Sequence, residues 1–463
     1  MKAKLNIFTI FTLILPLIAK ESMTNPFKRK LFTTKTSYNN SIPSFIEFLK
    51  TNPLNEHAGI KFNSEKNIPK CCEPVQLSWT LRHGSRYPSL KDIIGCDITF
   101  NKIKLYLQHH KDDQLSQNLF HWTNNFTVEQ AQELHPVGAE EHYEIGRRVG
   151  KTYQSLWRTA DNKDIVFESS SKSRSFDSAH NFIQGLKHTS EFNHSNVVID
   201  NTLTRFFDGC KKFAKTEKSD KILSEFHKFK NGKYMSEALE RLNARLGVTD
   251  PSLLDTGDVK NVYTTCGFET GLLGLDSGWC YLLEDRDLEV VEYLMELKHY
   301  WVTSYGYELG YSISCPILSS IFNGFDEAIQ AIQTGNRYTK AVFRFGHAET
   351  IMPFLCLLGL FKDPLPLSAE NFAQHNNRQF RTSLMAPMAA NIGLNLYRCQ
   401  CNGQENVEDY MVELVVNEQK LRFPGCEDYL CPYSFIKDLY KKIQSNCNFD
   451  EMCELDGDQK DEL

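Results

Sequence analysis

Apolar and polar residues alternate with period two from 75 to 81 (Val-Gln-Leu-Ser-Trp-Thr-Leu), which predicts a strand running into Arg82-His83-Gly84, where glycine permits a sharp turn. A long helix is expected after Pro136, passing through Glu140, Ile145, Val149 and Tyr153 to Trp157. Residues 164–167 read as a second strand, followed by the polar loop Ser169-Ser170-Ser171-Lys172-Ser173-Arg174. From about 188 to 339 the pattern turns mostly helical, with Leu288, Val291, Leu294, Leu297 and Trp301 at helical spacing. Residues 341–345 predict a third strand, which delivers Gly346-His347-Ala348-Glu349 to the start of an apolar helix. Later strands fit 389–397 and the pair around Asn417-Glu418, and a closing helix fits 433–443. No internal repeat or low-complexity tract interrupts this order.

Three predicted strands thus end in polar clusters. In an open α/β sheet ligands bind outside the carboxyl ends of the strands, so these loops can converge although 265 residues separate His83 from Ala348. The clusters share arginine and histidine: Arg82, His83, Arg86, Arg174 and His347. Taken singly, an arginine after a strand reads as a surface charge and a histidine as a satisfied structural group. Taken together they describe a phosphoryl clamp, because the planar guanidinium fork matches phosphate oxygens and each charge-assisted bond contributes roughly 1.5–3 kcal/mol.

Composition sets the bounds. The 463 residues allow about three domains or one large domain with insertions. With 41% hydrophobic and 24% charged residues the chain is neither disordered nor collagen-like. The net charge of −6 removes any whole-molecule argument for nucleic acid, so an anionic ligand must be drawn by a local field. Between Arg205 and Lys233 there are nine Lys/Arg against four Asp/Glu. That excess suits a polyphosphorylated ligand, but a solvated helix face is the favoured reading, and these lysines are left out of the site.

The chain ends carry address signals. Lys2 and Lys4 precede an apolar run from 5 to 19, the length of a signal-peptide core and short of the roughly 20 residues of a membrane span. Residues 1–19 are read as a cleaved signal peptide; Leu17 is a poor residue before a cut after Ala19, which keeps an uncleaved anchor open. Residues 460–463 are Lys-Asp-Glu-Leu, the signal by which a KDEL-type receptor retrieves luminal proteins. The expected location is the endoplasmic reticulum lumen, with any molecules that escape retrieval secreted. No later apolar run is long enough to span a membrane, the longest being 351–361. Asn39, Asn125 and Asn193 head glycosylation sequons. Fourteen cysteines suit an oxidising compartment, and spacing suggests Cys266 with Cys280, Cys426 with Cys431 and Cys447 with Cys453. Metal binding by Cys399-Gln-Cys401 or Cys71-Cys72 is the sharper alternative, but no second Cys/His pair at zinc spacing accompanies either, and no metal or cofactor is expected.

The segment Arg82-His83-Gly84-Ser85-Arg86-Tyr87-Pro88 resembles the Arg-His-Gly-x-Arg-x-Pro signature of the histidine acid phosphatases, the clade 2 histidine phosphatases that include phytases. Five fixed residues in seven arise by chance in a chain this long with a probability on the order of 10⁻⁴. Ser171, Arg174, Ser178 and Ala179 are similar to the family's third-arginine segment. His347-Ala348-Glu349-Thr350 departs from the family's usual His-Asp and resembles the multiple inositol polyphosphate phosphatase subfamily, as do Arg205-Phe206-Phe207-Asp208-Gly209-Cys210 and Tyr300-Trp301 before Tyr305-Gly306-Tyr307. The resemblance implies an α/β fold with a phosphoglycerate-mutase-like three-layer core sheet, formed by 20–187 and 340–463, and a mostly helical inserted cap over 188–339. It also implies hydrolysis of inositol polyphosphates and of 2,3-bisphosphoglycerate.

The residues themselves can do this chemistry. A phosphate monoester needs a nucleophile opposite the leaving oxygen, positive charge around the equatorial oxygens and an acid for the departing alkoxide. His83 is the expected nucleophile, Arg82, Arg86 and Arg174 the phosphate ligands, His347 a further donor and Glu349 the acid. The bland role for Glu349 is helix-terminus electrostatics. Two other functions stay open: a broad-specificity acid phosphatase, and a non-catalytic luminal protein that binds phosphorylated ligands. A phosphoglycerate mutase fits less well, given Arg86-Tyr87-Pro88 and the secretory signals. No Gly-x-x-x-x-Gly-Lys-Ser/Thr run supports nucleotide chemistry.

Overall fold

The computed structural model describes residues 31–52, 68–107, 119–190, 196–401 and 409–455. The expected signal peptide at 1–19, the retrieval signal at 460–463 and the sequon at Asn193 lie outside the described residues. Strands are numbered in chain order, as are helices of ten residues or more. The chain begins with α1 (Tyr38–Thr51), β1 (Cys72–Arg82), α2 (Leu90–Leu107), α3 (Pro136–Thr152), β2 (Ile165–Ser169), α4 (Ser173–Thr189) and β3 (Val198–Ile199). A helical stretch follows, with α5 (Asp220–Lys230), α6 (Lys233–Leu246), α7 (Thr256–Leu273), α8 (Asp285–Thr303) and α9 (Cys315–Thr334). The chain then returns to the sheet through β4 (Ala341–Gly346), α10 (Ala348–Leu357), β5 (Asn391–Cys399), β6 (Asp409–Val416), β7 (Gln419–Leu421), β8 (Leu430–Pro432) and α11 (Tyr433–Ser445).

One mixed sheet runs in the order β3-β2-β4-β1-β5-β6-β7, with β8 added to β6. The first four strands are parallel and the rest antiparallel. β4 lies between β2 and β1, and its Phe343 pairs with Phe167 on one side and Trp79 on the other. Each central strand presents two buried faces of different chemistry. On the apolar face Leu77, Trp79, Leu81, Phe167, Phe343 and Phe345 pack against Ile145, Val149, Phe182, Ile183 and Leu186 of α3 and α4. Those helices cross in backbone contact: a Cβ at Gly146 would lie 2.1 Å from the Phe182 carbonyl oxygen, and one at Gly185 would lie 1.8 Å from that of Tyr143. Larger residues would push the helices off the sheet and open the core, where each large-to-small loss costs about 2–5 kcal/mol.

The other face is polar yet covered. Arg344 of β4 lies 2.9 Å from Glu168 of β2 and donates to Ser78 of β1 at 2.9 Å and to Ser320 of α9 at 2.9 Å. Helices therefore flank the sheet on both sides, the three-layer arrangement expected. β2, β4, β5 and the closing helix fall within two residues of their predicted ends, and β1 begins three residues earlier than predicted, at Cys72. The helix after Pro136 stops at Thr152, and Gln154–Trp157 forms a separate turn. At the β6–β7 hairpin Asn417 and Glu418 both take positive φ, 48° and 60°, as a two-residue turn with the strand's own twist requires. β3 and β8, two and three residues long, are too short to leave a periodic signal. No described helix is long and apolar enough to cross a membrane.

Six disulfides are formed, and Cys96 and Cys356 remain as buried thiols. Cys266–Cys280 and Cys426–Cys431 form as expected. Cys447 and Cys453 do not pair with each other: Cys447 joins Cys315 and Cys453 joins Cys210, across 132 and 243 residues. Spacing favours the short loop, but α9 docks on α11, where Tyr433 Oη donates to the Phe322 carbonyl at 3.1 Å, and this brings Cys315 to Cys447. Bridges over such long loops restrict the unfolded chain most, by up to about 5 kcal/mol each on the chain-entropy account. Cys71–Cys401 and Cys72–Cys399 tie the start of β1 to the end of β5; the sulfurs of Cys71, Cys72 and Cys401 lie within 4.8 Å of one another, but as disulfides they offer no thiolate to a metal.

Candidate functional site

Parallel pairing carries the three polar loops to one edge of the sheet. Arg82 lies opposite Gly346, and Ser169 opposite Phe345. The ladder continues one residue further, with the His83 N–H donating to the Gly346 carbonyl at 3.0 Å and the Ser170 N–H to the Phe345 carbonyl at 3.0 Å. Strand register alone therefore sets His83, Ser170 and His347 side by side. The His83 and His347 rings stand 5.4 Å apart, edge to face.

Gly84 serves close approach and not the sharp turn expected of it. Its φ is not positive, but a Cβ there would lie 2.3 Å from the carbonyl oxygen of Gly138 in the first turn of α3. The loop is fixed on several sides: the Gly84 N–H donates to Ser178 Oγ of α4 at 3.0 Å, and the His135 N–H donates to the Ser85 carbonyl at 2.9 Å. Glu141 of α3, 1% exposed, accepts from the Ser85 N–H at 2.8 Å, Ser85 Oγ at 2.9 Å and the Tyr38 N–H at 2.7 Å. Nothing in the sequence pattern singled Glu141 out, since an acid inside an amphipathic helix reads as solvated.

His83 is 3% exposed, and its Nδ1 lies 2.9 Å from the Gly84 carbonyl. A carbonyl only accepts, so Nδ1 carries the proton and Nε2 keeps its lone pair. No described residue bonds Nε2. Burial first, then Arg82, Arg174, His347 and Arg86, hold the imidazole well below its usual pKa, so it stays neutral.

His347 is the N-cap of α10, its N–H donating to Thr350 Oγ1 at 3.0 Å. Its Nε2 lies 3.1 Å from Arg205 Nη1 and 3.0 Å from Ser170 Oγ. A guanidinium only donates, so Nε2 accepts and Nδ1 bears the proton. Nδ1 lies 3.5 Å from Arg174 Nη2, which sets the ring between Arg174 and Arg205. Burial, Arg174 and Arg205 keep this ring neutral as well.

The arginines complete the cup. Arg82 Nη1 donates to the carbonyls of Thr34 at 2.6 Å and Ala386 at 2.7 Å, and its Nε is buried without a partner. Burial and the neighbouring Arg86 push it down to about 9. Arg174, with its Nε likewise buried and unpaired, is pushed to about 10 by burial and then Arg86. Arg86 donates to the Tyr87 carbonyl at 2.7 Å and is lowered by burial against the pull of Asp92 and Glu349. Half-buried Glu349, in the first turn of α10, attracts all three guanidinium groups. The fold thus gathers Arg82, His83, Arg86, Arg174, His347 and Glu349. Buried cations with so little opposing charge are costly unless an anion enters.

Arg205 belongs to the cup although the sequence reading left it out. It is held by Asp208 at 2.7 Å and by the face of Phe207 at 5.3 Å, and it reaches His347. The signal was its place in Arg205-Phe206-Phe207-Asp208, obscured by the basic run behind it. Lys211, Lys218, Lys221, Lys228 and Lys233 of that run are solvent-exposed. Asn39 and Asn125 are exposed on the surface, outside the cup.

Residues 76–417 match the family model of the histidine phosphatase superfamily, branch 2. A multiple inositol polyphosphate phosphatase 1 from Gallus gallus is 31% identical over 93% of this chain and 95% of its own length. The Homo sapiens protein of that name is 30% identical, covering 83% and 82%. Among solved structures, the multiple inositol polyphosphate phosphatase of Bifidobacterium longum in complex with inositol hexasulfate overlays with a TM-score of 0.65 at 17% identity, over 88% of this chain and 96% of that one. The phytase from D. castellii overlays with a TM-score of 0.70 at 17% identity, over 92% and 93%. A match spanning both halves of the sheet and the helices between them means that this chain belongs to the histidine phosphatase superfamily, branch 2.

Proposed function

We propose that this chain hydrolyses phosphate monoesters of inositol polyphosphates through a phosphohistidine on His83, with Glu349 as proton donor. The observation that carries the reading is the unengaged Nε2 of a neutral His83, directed by the Nδ1 bond to Gly84, within a cup of three arginines of which Arg82 and Arg174 each keep a buried, unpaired Nε. The names of the relatives support the substrate class. Nε2 attacks phosphorus as the bond to the inositol oxygen breaks, and Glu349 gives that oxygen its proton. Arg82, Arg86, Arg174 and the Nδ1–H of His347 hold the phosphoryl oxygens, which carry the charge of the transition state. In the second half Glu349 takes a proton from water, whose oxygen attacks phosphorus and releases phosphate and neutral His83. We further infer residence in the endoplasmic reticulum lumen with retrieval by a KDEL-type receptor, supported by the terminal sequences and six disulfides; exposed Asn39 and Asn125, and Asn193, are its glycan acceptors.

Rapid quenching with labelled inositol hexakisphosphate tests the reading. Wild type should accumulate acid-labile phosphohistidine, and His83→Ala should form none and lose at least about 10⁴-fold in turnover while remaining folded. Labelling or turnover in His83→Ala would overturn the nucleophile, and equal efficiency on a singly phosphorylated sugar would overturn the substrate class.

A further inference from the structure

Beside the cup lies a second group of cations. The turn Phe32–Thr36 is anchored at both ends: Tyr263 Oη of α7 donates to the Leu31 carbonyl at 3.3 Å, the Phe32 and Tyr263 rings meet at 5.3 Å, and Arg82 binds the Thr34 carbonyl at 2.6 Å. The next residue, half-buried Lys35, is thereby fixed beside the cup. From the other side α7 docks on α2, with Asn261 donating to the Gly95 carbonyl at 3.1 Å and to Thr99 Oγ1 at 3.0 Å, and this brings half-buried Lys260 within charge reach of Asp92 in the first turn of α2. In that turn Asp92 is oriented by Ser89 Oγ at 2.7 Å.

The charges do not balance. Asp92 is the one attractive partner among the strongest charge interactions of Lys35, against Lys260, Arg86 and Arg82; for Lys260 it is again Asp92, against Lys91, Lys298 and Lys230. Among the described residues neither ammonium makes a hydrogen bond or an ion pair within 4 Å. Burial, the largest cause, pushes Lys35 down to about 8, a sign that the folded chain itself does little to stabilise this charge.

We propose that Lys35 and Lys260 form a second anion subsite beside Arg86, with Asp92 as its internal counter-charge, which holds a non-reacting phosphate of the polyphosphorylated substrate. The inference rests on the polyphosphate reading above and names what selects such substrates over simple monoesters. Phosphate there meets two ammonium groups that hydrogen-bond no other described residue, and Asp92 limits how tightly a polyanion is retained.

The test is the ratio of kcat/KM for inositol hexakisphosphate to that for p-nitrophenyl phosphate, read on one preparation so that any misfolded fraction cancels. Lys35→Met and Lys260→Met should each lower the ratio about tenfold, one charge-assisted bond's worth, and Asp92→Asn should raise it several-fold. Opposite signs separate a subsite from mere support of the fold. Lysine variants within twofold of wild type, or an Asp92→Asn that falls with them, would overturn the subsite. Should wild type fail to hydrolyse the hexakisphosphate, the function reading fails by itself. The subsite is then read from inositol hexasulfate as an inhibitor of p-nitrophenyl phosphate turnover: a tenfold higher inhibition constant in Lys35→Met supports it, and an unchanged one overturns it.

Discussion

Two groups of buried arginines in this molecule meet opposite fates. Arg378 lies 2.5 Å from Glu296 and 3.3 Å from Glu292 of α8, and Arg381 lies 2.9 Å from Glu292. Ser383 Oγ and the Thr382 N–H donate to the remaining oxygens at 2.6 and 2.9 Å. Burial would lower Arg378, but Glu296 and Glu292 outweigh it and raise the guanidinium above its ordinary value. In the cup burial prevails, with Arg82 at about 9 and Arg174 at about 10. The same side chain, similarly enclosed, is neutralised by the fold in one place and left short of negative charge in the other. The first arrangement secures the chain; the second waits for an anion.

Breaking the paired group should have the largest effect on stability. Arg378→Met leaves Glu296 buried without its cation and Glu292 with Arg381 alone, and should cost about 3–5 kcal/mol in urea unfolding, with turnover per folded molecule preserved. A cost under about 1 kcal/mol would erase the distinction between the two groups. In the cup, Glu349→Gln should lower kcat/KM, which reports the transfer of phosphate to His83, about 10²–10³-fold for inositol hexakisphosphate but less than about tenfold for p-nitrophenyl phosphate, because a nitrophenolate leaves without a proton. Equal losses would make Glu349 one more counter-charge. Arg174→Met should reduce kcat by about 10²-fold and leave stability within about 1 kcal/mol of wild type, the reverse of Arg378→Met. It should also shift pH dependence. Arg174 is among the charges that lower His83, so its removal raises the His83 pKa, and the ratio of variant to wild-type kcat/KM should fall as pH drops toward 5. A flat ratio would detach His83 from Arg174.

Much of the fold was legible because the apolar runs of β1, β2 and β4 give way at their ends to glycine, serine and basic residues. The cup was legible for the same reason, since the strand ends carry Arg82, His83, Arg174 and His347. Glu141 was hidden because a helical acid gives no pattern to distinguish it from a solvated one; only the contact of Gly84 with Gly138 brings Ser85 to its carboxylate. Lys35 was hidden by distance, lying 47 residues before Arg82 in a turn without periodicity. The pairing of Cys447 with Cys315 was misread because loop length argues for the near partner, whereas the docking of α9 on α11 decides for the far one.

What the amino-acid order determined, then, is which side chains stand at each strand's end, because alternation and its interruption are local properties of the chain. Which of those groups meet, which ring nitrogen keeps its lone pair and which cations go unpaired were decided by strand register and helix docking. Those depend on contacts between residues hundreds of positions apart, and no local pattern encodes them.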